Sequence, residues 1–148
     1  MDDARYALVV ARFYEELADR LVAGATRVLP GEPDVFDVPG AFELPAAAKA
    51  VAETGRYAGV VCLGAVIRGA TSHYDYVCAE AARGIQDVSL TTGVPCGFGL
   101  LTCDDYEQAL ARSGEGKRDS GAHAAEAVLA VGRVQRLAAA SAQATNST

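Results

Sequence analysis

The stretch AGVVCLGAVI, Ala58 to Ile67, is apolar along its whole length. That is the pattern of a strand buried on both faces, as in the middle of a parallel sheet. It is too short to span a bilayer. Upstream, YALVVA (Tyr6 to Ala11) is a second short apolar run rich in β-formers, and Asp34 to Val38 a third strand. Between them Glu15 to Leu29 changes to helical spacing, with Leu17, Leu21 and Val28 on one face, until Pro30-Gly31-Glu32-Pro33 stops it. Ala41 to Thr54 reads as a helix whose regular part follows Pro45.

Downstream, Thr71 or Ser72 caps a long helix to about Leu90, burying Val77, Ala81, Ile85 and Val88, before Gly93-Val94-Pro95 ends it. Cys96 to Thr102 is a fourth strand. Asp104 and Asp105 open a short helix to about Ser113, where negative charge suits the dipole. Gly114 to Ser120 is a polar turn, and a last helix runs from about Asp119 to Ala139. The small, polar tail from Ser141 to Thr148 is read as disordered. Strands alternating with helices predict a three-layer α/β/α sandwich around a four-stranded parallel sheet, flavodoxin-like in architecture. All 148 residues are read as one domain.

Half of the chain is apolar (51%), which suits a folded protein. Thirteen Lys and Arg against nineteen Asp and Glu give a net charge of −6 and no basic face for nucleic acid or an anionic membrane. The start, Met1-Asp2-Asp3, lacks the layout of a signal peptide, so a cytoplasmic protein is expected. The four cysteines, Cys62, Cys78, Cys96 and Cys103, form no CxxC pair and read as free thiols, not as a metal site.

In parallel sheets ligands bind beyond the carboxyl ends of the strands. Three segments stand there: Arg12-Phe13-Tyr14, Pro39-Gly40-Ala41-Phe42-Glu43, and Arg68 to Asp75. The third places a Gly-Ala-Thr-Ser turn at a helix N-terminus, which is either an ordinary capped helix start or a site for phosphate or carboxylate on its backbone N–H groups. It matches neither a P-loop nor a GxGxxG fold. Between residues 61 and 111 only Arg68 and Arg83 are basic, so an anion there is held by positioned groups. His73 follows in the first helical turn, where the dipole favours the neutral imidazole. Taken singly, each candidate keeps a plainer reading beside the functional one. Phe13 is a stacking platform or a core ring, Glu43 a polyol acceptor or a helix-start charge, and Arg112 a phosphate fork or a helix C-terminal cation. His123 is a solvated or packed residue or another ligand contact, and His73 a surface or packing histidine or a proton acceptor.

Four motifs carry the reading further: VPGAFELP (Val38 to Pro45), LGAVIRGATSHYDYV (Leu63 to Val77), TTGVPCGFGLLT (Thr91 to Thr102) and EQALARSG (Glu107 to Gly114). In order, and across about Tyr6 to Ala130, they resemble the 6,7-dimethyl-8-ribityllumazine synthase family of riboflavin biosynthesis. The resemblance implies condensation of 5-amino-6-(D-ribitylamino)uracil with 3,4-dihydroxy-2-butanone 4-phosphate to give the lumazine, phosphate and water. It implies no metal and no organic cofactor. It also implies a homo-oligomer, a pentamer or an assembly of pentamers, with sites between subunits. Carried over by position, Phe13 stacks on the pyrimidine, and Ala41, Phe42 and Glu43 hold the ribityl chain and ring. Ala65, Val66 and Ile67 meet the pyrimidine edge. Ala70, Thr71 and Arg112 grip the phosphate, His73 moves protons, and Phe98 closes the site from a neighbouring subunit.

The sequence departs from the family pattern at Tyr14, where the family usually has Asn, and at Asp119-Ser120-Gly121, where it commonly has Asn-Lys-Gly. Lys117 or Arg118 is the candidate substitute for the missing cation. His123 stands where the family often has an acid, and the stretch that family members often place before the first strand is expected to be absent here, with the strand starting at about Tyr6. Two readings compete with the enzyme: a catalytically weak relative that binds flavin or lumazine or serves as an assembly, and a flavodoxin-like mononucleotide-binding module.

Overall fold

The alternation of apolar side chains along β1 (Tyr6–Ala11) divides the molecule into two cores. Leu8 and Val10 point to one face of the sheet, and Ala7, Val9 and Ala11 to the other, all buried. The computed structural model describes residues 4–114 and 118–146. Met1 to Asp3, Lys117 and the last two residues of the polar tail lie outside these.

β2 (Asp34–Val38), β3 (Gly59–Ile67) and β4 (Cys96–Cys103) join β1 in one sheet of order β2-β1-β3-β4, parallel throughout. The all-apolar stretch is β3, central as expected, with Val9 opposite Cys62 on one side and Cys62 opposite Phe98 on the other. Helices α1 (Glu15–Val28) and α5 (Ser120–Asn146) cover one face, where Leu17, Leu21, Ala125 and Val128 meet Leu8, Val61 and Leu63. Helices α2 (Leu44–Ala52) and α3 (His73–Thr92) cover the other through Leu44, Ala48, Ala81, Ile85 and Val88. The short α4 (Tyr106–Arg112) follows β4. The result is the three-layer α/β/α sandwich that the sequence predicts.

The element ends follow local chemistry. Gly93 closes α3 at φ 78°, a left-handed turn that glycine enters without strain. The Asp105 carboxylate accepts from the Gln108 N–H and caps α4. Ser72 stands at the cap of α3, but its side chain makes no cap bond among the described residues; the Thr71 hydroxyl accepts from the His73 N–H instead, at 3.3 Å. α2 begins only at Leu44, after a separate 3-10 turn over Ala41–Glu43, with Pro45 in its first turn. α5 runs on to Asn146, past the expected end near Ala139, so residues 141–146 of the tail expected to be disordered are helix, because the alanine-rich stretch there favours helix. All four cysteines are free, and Cys62 and Cys103 are buried. Burial pushes the Cys62 thiol far up and that of Cys96 up to about 11.

Candidate active site at the sheet switch point

β1 is followed in the sheet by β2 on one side and by β3 on the other, so the first crossover runs one way and the next returns past it. At such a switch point the loops diverge and leave a crevice beyond the strand ends. The crevice here is a cleft of about 650 Å³. Phe13 and Tyr14 from the end of β1 line it, as do Gly40 to Glu43 after β2, Ala65 to Ile67 at the end of β3, and His73, Tyr76 and Val77 on α3.

Each wall has its own support. The Arg12 guanidinium lies in a ring of carboxylates, with Nε on Asp37 at 2.8 Å and Nη1 on Asp19 at 2.6 Å. These bonds, the one to Asp37 first, raise its pKa and keep it charged. The Arg12 N–H also donates to Val38 O at 2.9 Å, so the β1 end that presents Phe13 is fixed to β2. Phe13 itself is 73% exposed, which rules out a core role and leaves a ring face open to a ligand. On the second wall, Glu43 Oε1 accepts from the Gly40 N–H at 3.0 Å, and the Glu43 N–H donates to Gly40 O at 3.2 Å. This reciprocal pair orients the carboxylate at the mouth of the cleft and leaves it further acceptor capacity.

The third wall carries the polar chemistry. His73 opens α3 beside the cleft, and the Thr71 hydroxyl accepts from its backbone N–H, which frees the hydroxyl proton for another acceptor. Asp75 turns to Arg68, at 3.5 Å, and not to the imidazole. The remaining lining is largely apolar, so the polar groups act at the edge of a slot suited to a flat ring.

Of the expected site residues, Phe13, Ala41, Phe42, Glu43, Ala65, Val66, Ile67 and His73 meet around this one cleft. Ala70 and Thr71 stand exposed in the turn before α3, outside the lining. Phe98 lies on β4, at the sheet edge, 46% exposed. Arg112 is at the end of α4, where its Nη1 donates to Gln108 O at 3.0 Å. The end of α4 is braced by Arg20, which donates to the buried Ser113 Oγ and to Gly114 O, both at 2.6 Å. Asp119 pairs with Arg27 and caps α5 through the Ala122 N–H, while His123 is exposed there and Arg118 is likewise at the surface. Tyr76 and Val77 joined the lining without being singled out for it. Their spacing of three and four from His73 places them on one helix face, a signal that was available. Among the described residues no group of acids, cysteines and histidines is arranged to hold a metal, and no helix is long and apolar enough to cross a membrane.

A family model described as 6,7-dimethyl-8-ribityllumazine synthase matches residues 3–136. Proteins of that name from Nitratidesulfovibrio vulgaris strain Miyazaki F and strain DP4 are each 46% identical over 136 residues, covering 88% of this chain and 87% of theirs. The chain belongs to the 6,7-dimethyl-8-ribityllumazine synthase family.

Proposed function

We propose that this chain condenses 5-amino-6-(D-ribitylamino)uracil with 3,4-dihydroxy-2-butanone 4-phosphate to 6,7-dimethyl-8-ribityllumazine, phosphate and water. The observation that carries the reading is the cleft at the switch point, where an exposed Phe13, the Glu43 carboxylate and His73 meet around a largely apolar slot. In this reading Phe13 stacks on the pyrimidine, and the ends of β2 and β3 (Ala41 to Glu43 and Ala65 to Ile67) hold ribityl chain and ring edge. Ala70 and Thr71 face the phosphate through N–H and hydroxyl groups, joined by Arg112. Phe98 closes the slot of a neighbouring subunit, which its exposed place on the edge strand permits.

The nucleophile is the substrate's own amine, so no serine or cysteine is needed. The amine attacks the ketone to form a carbinolamine, which loses water to give an imine. Phosphate then leaves, and the second amine closes the ring with loss of a second water. Each step moves a proton, and in this reading His73, which lines the cleft, relays them. Holding two substrates face to face supplies much of the remaining acceleration.

The protein acts in this reading as one 148-residue domain, in the cytoplasm, within a pentamer or an assembly of pentamers. Its test is lumazine formation from both substrates, followed by absorbance against a protein-free blank. An enzyme-dependent rate that falls in Arg112→Ala supports the reading. A rate equal to the blank from folded, oligomeric protein refutes it in favour of a binding or assembly role.

A further inference from the structure

Tyr14 occupies the N-cap of α1, with the extended backbone (φ −111°, ψ 94°) from which a short side-chain oxygen reaches back to the first free N–H groups of a helix. Tyrosine cannot make that bond, and this cap has no side-chain hydrogen bond among the described residues. The ring is directed elsewhere. It lines the cleft and meets Phe13 edge to face, with centroids 4.9 Å apart and planes at 79°. On its other side the ring of Tyr106 lies 6.2 Å away. Tyr106 is itself anchored, its hydroxyl donating to Glu16 Oε1 at 2.9 Å, in the first turn of α1. Tyr14 also packs against the core beneath α1. Three rings therefore run in series from a hydrogen-bonded anchor on α1 and α4 to the most exposed aromatic of the cleft.

We propose that Tyr14 is a positioning residue that fixes the plane of Phe13 for the flat heterocyclic substrate, in place of a helix cap. The inference rests on the proposed condensation and assigns a role to a residue that the motif-based site omits. Quadrupole geometry supplies the mechanism: an edge-to-face contact holds one ring at a set angle to the other, so Phe13 meets the pyrimidine with less orientation left to lose. The Tyr14–Phe13 pair is a ring-to-ring contact, so the ring is what matters.

Cap and brace make opposite demands on this position, which gives a test that a merely structural role fails. Tyr14→Phe, Tyr14→Asn and Tyr14→Ala are compared by steady-state kinetics for each substrate and by thermal melting. Tyr14→Phe is expected to stay within about twofold of wild type. Tyr14→Asn and Tyr14→Ala should raise KM for the ribitylaminouracil by about three- to tenfold, the size of one aromatic pair contact. KM for butanone phosphate should stay within about twofold. Tyr14→Asn should nevertheless melt above Tyr14→Ala, since both lose the ring packing and only Asn restores the cap. The inference is overturned if uracil KM is unchanged in the Asn and Ala variants, or if both KM values worsen together in them. Wild-type protein with no lumazine formation above the blank overturns the functional reading itself, and this inference with it.

Discussion

Arg68 Nε donates to Asp104 Oδ1 at 2.9 Å and so joins the end of β3 to the turn between β4 and α4. The same guanidinium lies 4.3 Å over the Tyr74 ring and 3.5 Å from Asp75, and the Arg68 N–H donates to Cys103 O at 2.9 Å. The bond to Asp104, first of all, raises the Arg68 pKa. The one arginine of this loop is thus committed to carboxylates on either side of the turn from Gly69 to Ser72.

Arg68→Gln should therefore act on binding more than on stability. Both partners are exposed, and exposed ion pairs contribute little to folding, so Tm should fall by less than about 3 °C. KM for butanone phosphate should rise by about two- to fivefold, because the turn loses its fixed geometry. Asp104→Asn should give the same effect, and the double variant no more than either alone. Fully additive losses would show that the two residues act separately.

His73→Ala is expected to retain measurable activity. Positioned acid–base catalysis contributes roughly 10²- to 10⁴-fold, while juxtaposition of the two substrates depends on the other walls of the cleft. The variant should lower kcat with little change in either KM, measured against the uncatalysed condensation. Activity no higher than that blank would give His73 a larger part than proton transfer.

The fold was legible in the sequence because it is written in period: an all-apolar β3, short apolar β1, and helices with one apolar face. The cleft was less so. Its strand-end residues follow from topology, since the switch point has to lie where β1 meets β2 and β3. On α3, Tyr76 follows from its spacing of three from His73, though the start of that helix was left open between Thr71 and Ser72. Ala70, Thr71, Phe98 and Arg112 are a different matter. The anion-site reading of the turn and of Arg112 offers three of them beside plainer alternatives and motif resemblance alone offers Phe98, but the lining of the cleft in a single chain includes none of the four.

Gly121 shows a packing constraint that no periodicity reveals. A Cβ on this residue would lie 2.2 Å from the backbone oxygen of Leu21, so α5 crosses α1 at a distance only glycine allows. The contact is backbone, which has no rotamer to yield. Gly121→Ala should cost about 1–3 kcal/mol or more of stability, read as a lowered denaturant midpoint at unchanged m. Gly69→Ala is the control, because a Cβ there meets nothing within 4 Å, and its midpoint should stay close to wild type.

At the opposite end of the sheet, Asp34 accepts from the Tyr57 hydroxyl at 2.6 Å and from Arg5 Nη2 at 2.7 and 2.8 Å. These bonds, Tyr57 first, lower the Asp34 pKa, and the same contact with Asp34 raises that of Tyr57. The two shifts act on opposite limbs of the stability profile. A lowered carboxyl pKa stabilises the fold above the ordinary value of 3.8, and that contribution is lost as pH falls through the folded value. A raised phenol pKa stabilises it fully below the ordinary value of 10.0, and that contribution is lost as pH rises through the folded value. Asp34→Asn removes the charge on which both shifts depend. Its Tm should lie a few degrees below wild type near neutrality, and both its acid and alkaline limbs should be shallower. A variant that differs from wild type by a constant offset at every pH would show that Asp34 contributes packing alone.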